Sequence, residues 1–545
     1  MRYVLLLLSS GTIFAQQPVL YNRGAVNSAS LAPAGLPNAA IARGSIFTVF
    51  GENLGPAQSP TLAFPLSTTL AGVSVSVTQN GAATAAFPIF VSPGQINAIM
   101  PSTVAAGPAT LRLVYQSAKS NAITIQIANA APGLFAVSGG GYGPGAFQNF
   151  ISSANEPVNS SVVPAAPGQT VVLYGTGLGP VTFPDNVAPT VGNVSTPVAV
   201  TIGGQPGNVL YSGRSPCCAG LDQITVTLPG NVPPGCWVPV TVNAGGTVSN
   251  TATLAIAAPG AAACSDPANP LSSLVLTAGT QAFISLNQVD EIQNVETPTP
   301  LAGVQSQLYS RFFTRPASPY NFDPYESYPP AGSCFIHQTS GDANLSYNLR
   351  GALPAASSLS PQPGQTYNNN GASESLPTSG AFIAGTLGAT VASTVYGAGL
   401  LTSNAKFTVD PGGPNQAVLA IPVESPPAWT RPDAIIAVPR NAPLALSFTP
   451  GDPTAPTAIV VYAYAASVNA TVEVECLAAP GASTFTISAD NLSNLPPSYQ
   501  RQDGSYAYLM LGSLGVNKGV AFTNGLAAQG VLINSSWLSQ EVVLQ

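Results

Sequence analysis

The chain has 545 residues, enough for about three or four domains, and charged residues make up only 6% of it, against about 25% in an ordinary soluble domain. The formal net charge of −7 leaves no basic surface to neutralise phosphates, so nucleic-acid binding is not expected. Gly and Pro number 53 each, which favours many short strands joined by tight turns over long helices.

The N-terminus, over residues 1–15, has the pattern of a secretory signal peptide. Arg2 supplies the positive end, an apolar core follows at Tyr3–Ser10 and Ile13–Phe14, and cleavage is expected after Ala15. After this segment no apolar run approaches the roughly 20 residues that span a bilayer. We therefore expect an exported chain, extracellular or at the cell surface, with no transmembrane segment once the signal is removed.

One stretch of the sequence occurs twice, since residues 43–56 (RGSIFTVFGENLGP) return as residues 167–180 (PGQTVVLYGTGLGP). Later matches follow in the same order at slightly larger offsets. The matched positions are Gly44, Gly51, Leu54, Gly55 and Pro56 with Gly168, Gly175, Leu178, Gly179 and Pro180 at an offset of 124, Gln95, Ile96 and Pro101 with Gln223, Ile224 and Pro229 at 128, and Ser120 and Asn121 with Ser249 and Asn250 at 129. This pattern indicates two tandem copies of one module, with loop insertions in the second.

The two copies predict antiparallel β-sandwiches over residues 24–130 and 131–264, because short alternating or β-branched runs are separated by turn signals. The glycine-rich segment 138–145 is predicted to be a flexible linker. In the first copy the predicted strands are Ile46–Phe50, Val73–Thr78, Ile96–Met100, Thr110–Tyr115 and Ala122–Ile127. In the second copy they are Thr170–Tyr174, Val198–Ile202, Gln223–Leu228, Val238–Asn243 and Ala252–Ile256.

These motifs resemble those of IPT/TIG-type immunoglobulin-like modules. The resemblance rests on the two Gly-x-x-Leu-Gly-Pro motifs, each followed by a set of apolar strands and a late Ser-Asn pair, and on three further segments: SPGQIN at 92–97, APGLF at 131–135 and YSGRSPCCAGLDQ at 211–223. The fuller pattern resembles a family of secreted proteins of soil bacteria and covers about residues 24–264. The resemblance implies export and a β-sandwich fold, and it brings no established activity and no catalytic residues.

Residues 265–545 are predicted to be a mainly β, sandwich-like region with a linker or loop near 357–378. The stretch 444–495 resembles a sandwich domain that often follows such modules. The aromatic segment Tyr309–Tyr328 is interpreted as a long loop, and a short helix is expected near Ser488–Leu495. The predicted strands are Leu274–Leu276, Ala381–Ala384, Ala417–Val423, Leu444–Phe448, Ile459–Ala465, Ala470–Cys476 and Thr484–Ile487.

The chain contains six cysteines, and an even count in an oxidising compartment suggests disulfides. Adjacent cysteines seldom bond to each other without strain. Cys217 and Cys218 are therefore expected to pair with Cys236 and Cys264, in an order that the sequence leaves open. A zinc site made of these four cysteines is the weaker alternative, because no C-x2-C spacing occurs among them.

The remaining cysteines, Cys334 and Cys476, are expected to pair with each other. His337 is the only histidine of the chain and lies three residues after Cys334, in a segment that is typical of a strand. A catalytic arrangement based on histidine would have to use it, and the surrounding pattern favours a structural position. A site with several histidine ligands is excluded.

The segment Gly175-Thr-Gly-Leu-Gly179 is rich in glycine, as phosphate-binding loops are. Such loops need a helix to follow them, and no helical pattern follows here. Asn53 in the first copy stands where Gly177 stands in the second, and both residue types accept a positive φ. We therefore interpret the repeated motif as a turn that requires a residue with positive φ at this position.

Paired carboxylates offer the enzymatic alternative, because glycosidases use two acids on either side of a sugar bond. The candidates are Asp323 with Glu326, Asp342, and Glu473 with Glu475. Period-two alternation places Val472, Val474 and Cys476 inward, so Glu473 and Glu475 are expected on the solvated face of a strand. The aromatic rings near Asp323 could stack a sugar, but a loop attached to the core by its rings is the preferred interpretation.

The sequence thus predicts an all-β chain of tandem immunoglobulin-like β-sandwiches followed by a mainly β C-terminal region. It predicts an exported, non-catalytic binding or structural module whose partner is an extracellular ligand, either glycan or protein. No catalytic, cofactor-binding or metal-binding residue is assigned. The alternative is a polysaccharide-active enzyme with its site in 265–545 and the two modules as accessory domains. A third possibility is a spacer that holds another protein at a distance.

Overall fold

The computed structural model describes residues 17–267, 269, 271–292, 303–324, 326–341, 381–384, 390–396, 406–410, 417–420, 425–429, 437–498, 504–514, 520–522 and 529–545. The predicted signal peptide, the predicted linker near 357–378 and Asp342 lie outside these residues. Nearly all regular structure in the described part is β, as predicted, and it forms two similar sandwiches followed by a larger β region.

The first module is a sandwich of two sheets. Its strands are β1 (Val19–Asn27), β2 (Ile41–Ala42), β3 (Ile46–Glu52), β4 (Val73–Gln79), β5 (Ala82–Ala85), β6 (Phe87–Val91), β7 (Gln95–Ile99), β8 (Gly107–Tyr115), β9 (Ala118–Lys119) and β10 (Ile123–Ala128). One sheet has the order β1-β3-β7-β6, and the other has the order β2-β10-β8-β4-β5 with β9 beside β8. Alternate residues of both sheets, such as Val49, Ile96, Val75 and Leu111, form one buried core.

The second module repeats this arrangement with one additional strand, β13. Its strands are β11 (Gly133–Leu134), β12 (Gly143–Pro144), β13 (Gln148–Asn149), β14 (Thr170–Thr176), β15 (Val198–Ile202), β16 (Gln205–Pro206), β17 (Asn208–Arg214), β18 (Asp222–Thr227), β19 (Gly235–Ala244), β20 (Thr247–Val248) and β21 (Ala252–Ile256). The sheet orders are β11-β14-β18-β17 and β12-β21-β19-β15-β16, with β13 beside β14 and β20 beside β19. Two modules with one topology are what tandem copies of one sequence require.

The segment 138–145 differs from the flexible linker that its composition predicts. Strand β12 lies within it and pairs in parallel with β21. The carbonyl oxygen of Gly141 accepts a hydrogen bond of 2.7 Å from the buried Asn250 side chain. These contacts make the glycine-rich segment a part of the second sandwich.

The repeated Ser-Asn pair has the same function in both modules. Asn121 accepts a hydrogen bond from the backbone NH of Leu20 and donates one to its carbonyl oxygen, and Asn250 does the same at Leu134. Each pair thereby ties the beginning of the last long strand of a module to its first strand. Asn250 is buried, whereas Asn121 is exposed.

We expect Asn250→Ala to destabilise the protein more than Asn121→Ala. The first change leaves the backbone groups of Leu134 and Gly141 without a partner in a buried place, at a cost of about 2–4 kcal/mol, whereas water can replace the exposed Asn121 amide. Urea unfolding of the two variants measures the difference. Equal losses of unfolding free energy would contradict this role for burial.

The turn of the repeated motif has the predicted backbone geometry, since Asn53 has φ of 56° and Gly177 has φ of 100°. The second copy carries an additional restriction. A Cβ atom at Gly177 would collide with the carbonyl oxygen of Ala131. Asparagine can therefore serve at the first position, while the second position admits only glycine.

A buried ion pair between Arg214 and Asp222 lies where the two modules meet, and their side chains are 2% and 1% exposed. Arg214 Nη2 donates to the carbonyl oxygens of Gly44 at 2.8 Å and Gly179 at 2.9 Å, which belong to the two copies of the repeated motif. The second Asp222 oxygen accepts from the backbone NH of Leu178 at 2.8 Å. Burial raises the pKa of Asp222, and Arg214 and the backbone donors oppose this rise. One arginine thus joins both modules through their repeated turns.

Replacing Arg214 by Met is expected to lower the unfolding free energy by about 3–5 kcal/mol, because it leaves the Asp222 carboxylate buried without its partner. The double variant Arg214→Met/Asp222→Leu should lose less, since no buried charge remains. Urea unfolding of the two variants beside the wild type tests this. A single variant that is as stable as the double variant would contradict the assignment.

The C-terminal region is built on one large mixed sheet. The elements are α1 (Ser272–Leu276), β22 (Gly279–Ile292), β23 (Gly303–Arg315), β24 (Cys334–Ser340), β25 (Ala381–Ala384), β26 (Thr390–Tyr396), β27 (Lys406–Asp410), β28 (Ala417–Ala420), β29 (Ala428–Trp429), β30 (Ala437–Val438), β31 (Leu444–Thr449), β32 (Thr457–Ala465), β33 (Ala470–Ala478), β34 (Thr484–Ile487), α2 (Ala489–Ser493), β35 (Tyr506–Leu514), β36 (Val520–Phe522), β37 (Gln529–Glu541) and β38 (Val543–Leu544). The large sheet has the order β24-β33-β32-β35-β37-β22-β23-β26, with β36 beside β37. Smaller sheets are β25-β27-β28, β29-β31-β34 and β30-β38.

Both faces of the large sheet are covered at β32. Ile459 and Val461 point into a core shared with β31, β34 and α2, and Val460 and Tyr462 point into a second core on the other side. Helix α2 lies where a short helix was expected. Within the described part of the chain neither helix exceeds five residues, so neither is long enough to cross a membrane.

Two predictions for this region were wrong. The run Leu274–Leu276, predicted as a strand, lies in helix α1, which buries Leu274 and Val275 in the C-terminal region. The aromatic segment predicted as a loop is strand β23 as far as Arg315, because it pairs with β22 along its whole length.

Candidate functional site

The outer face of strand β19 determines where the second module meets the C-terminal region. Val238, Val240 and Val242 point into the core of the module. The alternate residues, Trp237, Pro239, Thr241 and Asn243, lie on the opposite face and are directed at the C-terminal region or line the space beside it. Strand β19 is thus covered on both faces, unlike an ordinary surface strand of a sandwich.

Hydrogen bonds hold the two parts together at both ends of this face. The indole NH of Trp237 donates to the carbonyl oxygen of Asn321 at 3.1 Å. Asn243 Nδ2 donates to Asp490 Oδ1 at 3.1 Å, and Asn494 Nδ2 donates to Ser249 O at 3.1 Å. Between these contacts the two surfaces separate.

The space that they leave is a cavity of about 230 Å³, which we name the inter-module crevice. One wall comes from β15, β16 and β19 of the second module. The other comes from the turn before β24, from β34 and from the first turn of α2. Its polar and aromatic lining residues are Thr201, Thr241, Ser333, Phe485, Thr486, Ser488, Asp490 and Asn491.

Several polar side chains of the crevice make no hydrogen bond with other described residues. Thr201 and Thr241 lie directly opposite each other on neighbouring strands, and their hydroxyls, like that of Thr486, make no hydrogen bond with the described residues. Ser488 accepts a hydrogen bond from the NH of Asn491 at 3.3 Å. Among the described residues that line the crevice, Asp490 is the one ionisable side chain. The crevice therefore offers neutral donors and acceptors beside a single carboxylate.

The predicted acid pair Asp323 and Glu326 lies in a buried ion-pair network. Arg315 Nη2 is 2.7 Å from Glu326 Oε2 and 3.7 Å from Asp323 Oδ2. Arg315 Nε donates to Gln281, whose amide in turn donates to the carbonyl oxygens of Leu274 and Thr277. All of these side chains are buried. The two carboxylates hold the loop after β23 against the large sheet and do not face an open cleft.

The other acid pair lies on β33. Val472, Val474 and Cys476 are buried as predicted, but the expectation that both glutamates lie on a solvated face was wrong. Glu475 is 1% exposed. The physical reason is the second core, which covers the opposite face of the sheet with Leu271, Tyr328 and Leu477, among others. Glu473 is half-buried and lies opposite His337 in the register of β24 and β33.

His337 lies in an aromatic group between the second module and the C-terminal region. Its ring centroid is 5.7 Å from that of Phe335, 6.3 Å from that of Phe322 and 6.5 Å from that of Tyr142. Phe335 is buried, and Tyr142 is exposed at the rim. Because these rings come from three separate segments, the group packs the loop after β23 against the second module.

The disulfides differ in part from the predicted pairing. Cys334 bonds to Cys476, as expected, across neighbouring strands β24 and β33. Cys236 bonds to Cys264, and Cys217 bonds to Cys218, so the pairing predicted for these four residues was wrong.

The reason is the placement of the adjacent pair. Cys217 and Cys218 are exposed in the turn between β17 and β18, where the neighbouring Gly220 packs against Ile46 and Ile99 of the first module. Cys236 is buried beside Val275 and Phe335 of the C-terminal region. The two sites face different neighbours, so a bond between them would require a rearrangement of the module.

Asp266 is a buried carboxyl group near helix α1. Its Oδ2 atom has no hydrogen-bond partner among the described residues. Burial raises the pKa of Asp266 from 3.8 to about 6, and a hydrogen bond from the backbone of Asn269 opposes this rise only in part.

No group of three or more His, Cys, Asp or Glu side chains in the described residues could hold a metal ion.

The raised pKa of Asp266 predicts a loss of stability with rising pH. The folded state binds the proton more tightly than the unfolded chain does, so the unfolding free energy falls as the pH rises from 3.8 to about 6. Asp266→Asn should remove this decrease and stabilise the protein above that range by about 2–3 kcal/mol. Urea unfolding at a series of pH values measures it. Identical pH profiles of the variant and the wild type would contradict the assignment.

The crevice residues were not identified from the sequence. One signal was present, because a strand whose supposed solvent face carries Trp237, Pro239 and Thr241 is unusual for an exposed surface. The opposite wall lies some 250 residues further along the chain, at Phe485 to Asn491. Only the docking of the C-terminal region on the second module brings the two walls together.

No protein-family model matches the chain, and no curated protein matches its sequence. Similar segments occur in solved structures. The SGBP-B of a Bacteroides ovatus mixed-linkage glucan utilization locus, in complex with a mixed-linkage heptasaccharide, is 16% identical, with 40% of this chain and 44% of that chain covered and a TM-score of 0.19. The SGBP-B of a complex xyloglucan utilization locus in Bacteroides uniformis is 12% identical, with 55% and 66% covered and a TM-score of 0.16.

The full extracellular region of plexin A4 is 16% identical, with 44% of this chain and 18% of that chain covered and a TM-score of 0.17. This chain covers less than half the length of the first of these structures. At such TM-scores the likenesses carry no inference about a ligand or an activity.

Proposed function

We propose that this chain is an exported, non-catalytic β-sandwich protein that binds an extracellular ligand in the inter-module crevice. The observation that carries the proposal is the contrast between two sets of polar side chains. The predicted acid pair Asp323 and Glu326 is buried in contacts with Arg315. In the crevice, Thr486 and Ser488 are exposed. The hydroxyls of Thr201, Thr241 and Thr486 make no hydrogen bond with the other described residues.

Export is supported by the signal-like pattern that ends at Ala15 and by three disulfides in the described residues. The two sandwiches are proposed to be IPT/TIG-type immunoglobulin-like modules. Their common strand order and the common roles of their Ser-Asn pairs support this assignment. In this proposal the modules hold the crevice in place and contribute one of its walls.

The proposal is tested by incubating the purified chain with insoluble neutral polysaccharides, acidic polysaccharides and extracellular matrix proteins. We expect retention on at least one of them, with no release of reducing ends or peptides. Thr486→Trp should abolish retention, because Thr486 is an exposed lining residue and an indole there would fill the entrance of the crevice.

The matched control is Thr124→Trp, which places the same ring on an exposed position of the first module. Release of reducing ends would establish the alternative, a polysaccharide-active enzyme. Retention on none of the materials would favour a spacer and overturn the proposed binding function.

A further inference from the structure

We infer that the inter-module crevice binds a neutral saccharide of one or two sugar rings. This assignment rests on the proposed binding function and specifies the ligand class of the same site. It follows from the charge, the hydrogen-bonding groups, the size and the rigidity of the crevice.

The charge of the lining argues against an anionic ligand. No Lys, Arg or His is among the described residues that line the crevice, and Asp490 is its one ionisable side chain. Phosphates and carboxylates are recognised by Arg or Lys side chains or by clusters of backbone NH groups. A carboxylate in the lining repels such ligands, so a neutral molecule is favoured.

The hydrogen-bonding groups suit a ligand that is rich in hydroxyls. The Thr201, Thr241 and Thr486 hydroxyls can each donate and accept, and the Asn491 amide provides both functions in fixed directions. Asp490 Oδ1 already accepts from Asn243, which leaves Oδ2 to accept from a ligand hydroxyl. A sugar presents hydroxyls that both donate and accept, and it can therefore satisfy all of these groups at once.

Phe485 adds an aromatic ring to this polar lining. The residue is half-buried and packs on the core beneath β34, which holds its ring in one place. The face of an aromatic ring carries partial negative charge and attracts C–H groups. A sugar ring has C–H groups on its faces and hydroxyls around its rim, so a lining of one aromatic ring and several hydroxyls matches it.

The size of the crevice limits the length of the ligand. Its volume of about 230 Å³ is below the roughly 300–1,000 Å³ of ordinary small-molecule sites. An extended peptide or a long polysaccharide segment would not fit within it. One or two sugar rings, such as the end of a longer chain, match this volume.

The crevice is also preorganised. Trp237 and Asn243 hold its floor to the C-terminal region, and Asn494 bonds to Ser249 behind it. Gly204 approaches Gly332 across the crevice so closely that a Cβ atom would lie 3.1 Å from the carbonyl oxygen of Gly332. Walls that are already fixed reduce the entropy lost on binding, which permits a small ligand to bind measurably.

The assignment is tested with the full mature chain by isothermal titration of neutral di- to tetrasaccharides of glucose, galactose and mannose, with oligogalacturonate as the anionic probe. We expect binding of at least one neutral probe and no binding of oligogalacturonate. Thr486→Trp and Asn491→Ala should each weaken that binding by about tenfold or more, because one fills the site and the other removes hydrogen bonds to the ligand.

Two matched controls, Thr124→Trp and Asn208→Ala, change the same residue types at exposed positions outside the crevice and should bind like the wild type. Thermal unfolding of every variant establishes that it is folded. Phe485→Leu provides a further test, since it keeps an apolar side chain on the core and should lower affinity only if the ring contacts the ligand.

The possible failures are distinguishable. Binding of a protein or of oligogalacturonate that is lost in Thr486→Trp would overturn the saccharide assignment and leave the proposed binding function intact. Saccharide binding that is unchanged in Thr486→Trp and Asn491→Ala would show that the crevice is not the site. The absence of binding to any neutral, acidic or protein probe would overturn both proposals.

Discussion

Arg214 contacts both copies of the repeated motif, and the arrangement of the two modules depends on this contact. Its guanidinium group bonds to Gly44 of the first module and to Gly179 and Asp222 of the second. In the first copy, the NH of Leu54 bonds to the carbonyl oxygen of Pro93, whereas the equivalent NH of Leu178 bonds to the Asp222 carboxylate. The second copy has thus exchanged a backbone acceptor for a charged one that can hold an arginine. Because such a pair is stable only with all its partners in place, it fixes the junction.

The second module also contacts the C-terminal region. The C-terminal region docks on the outer face of β19 through Trp237 and Asn243. The docked surfaces separate between these contacts and leave the inter-module crevice. The candidate site therefore belongs to neither unit alone, since each contributes one wall.

Buried ion pairs have structural roles in this weakly charged chain. Arg214 with Asp222 and Arg315 with Glu326 are buried and stabilise a junction and a loop. The polar groups that remain accessible in the crevice are mostly hydroxyls and amides. Such a surface interacts weakly with ions and with nucleic acids and is suited to neutral ligands, which is consistent with the proposed binding function.

The sequence by itself determined the all-β fold, the tandem repeat and the positive φ shared by Asn53 and Gly177, because alternation, repetition and turn chemistry are local properties of a chain. It also indicated the inward face of β33, where Val472 and Val474 are buried. Only the tertiary structure decided that Glu475 is buried, that Cys217 bonds to Cys218, and that a Cβ is excluded at Gly177. The inter-module crevice was likewise decided only by the tertiary structure. Each of these features depends on which distant segment covers a given face, and contacts between distant segments leave no periodic pattern in one sequence.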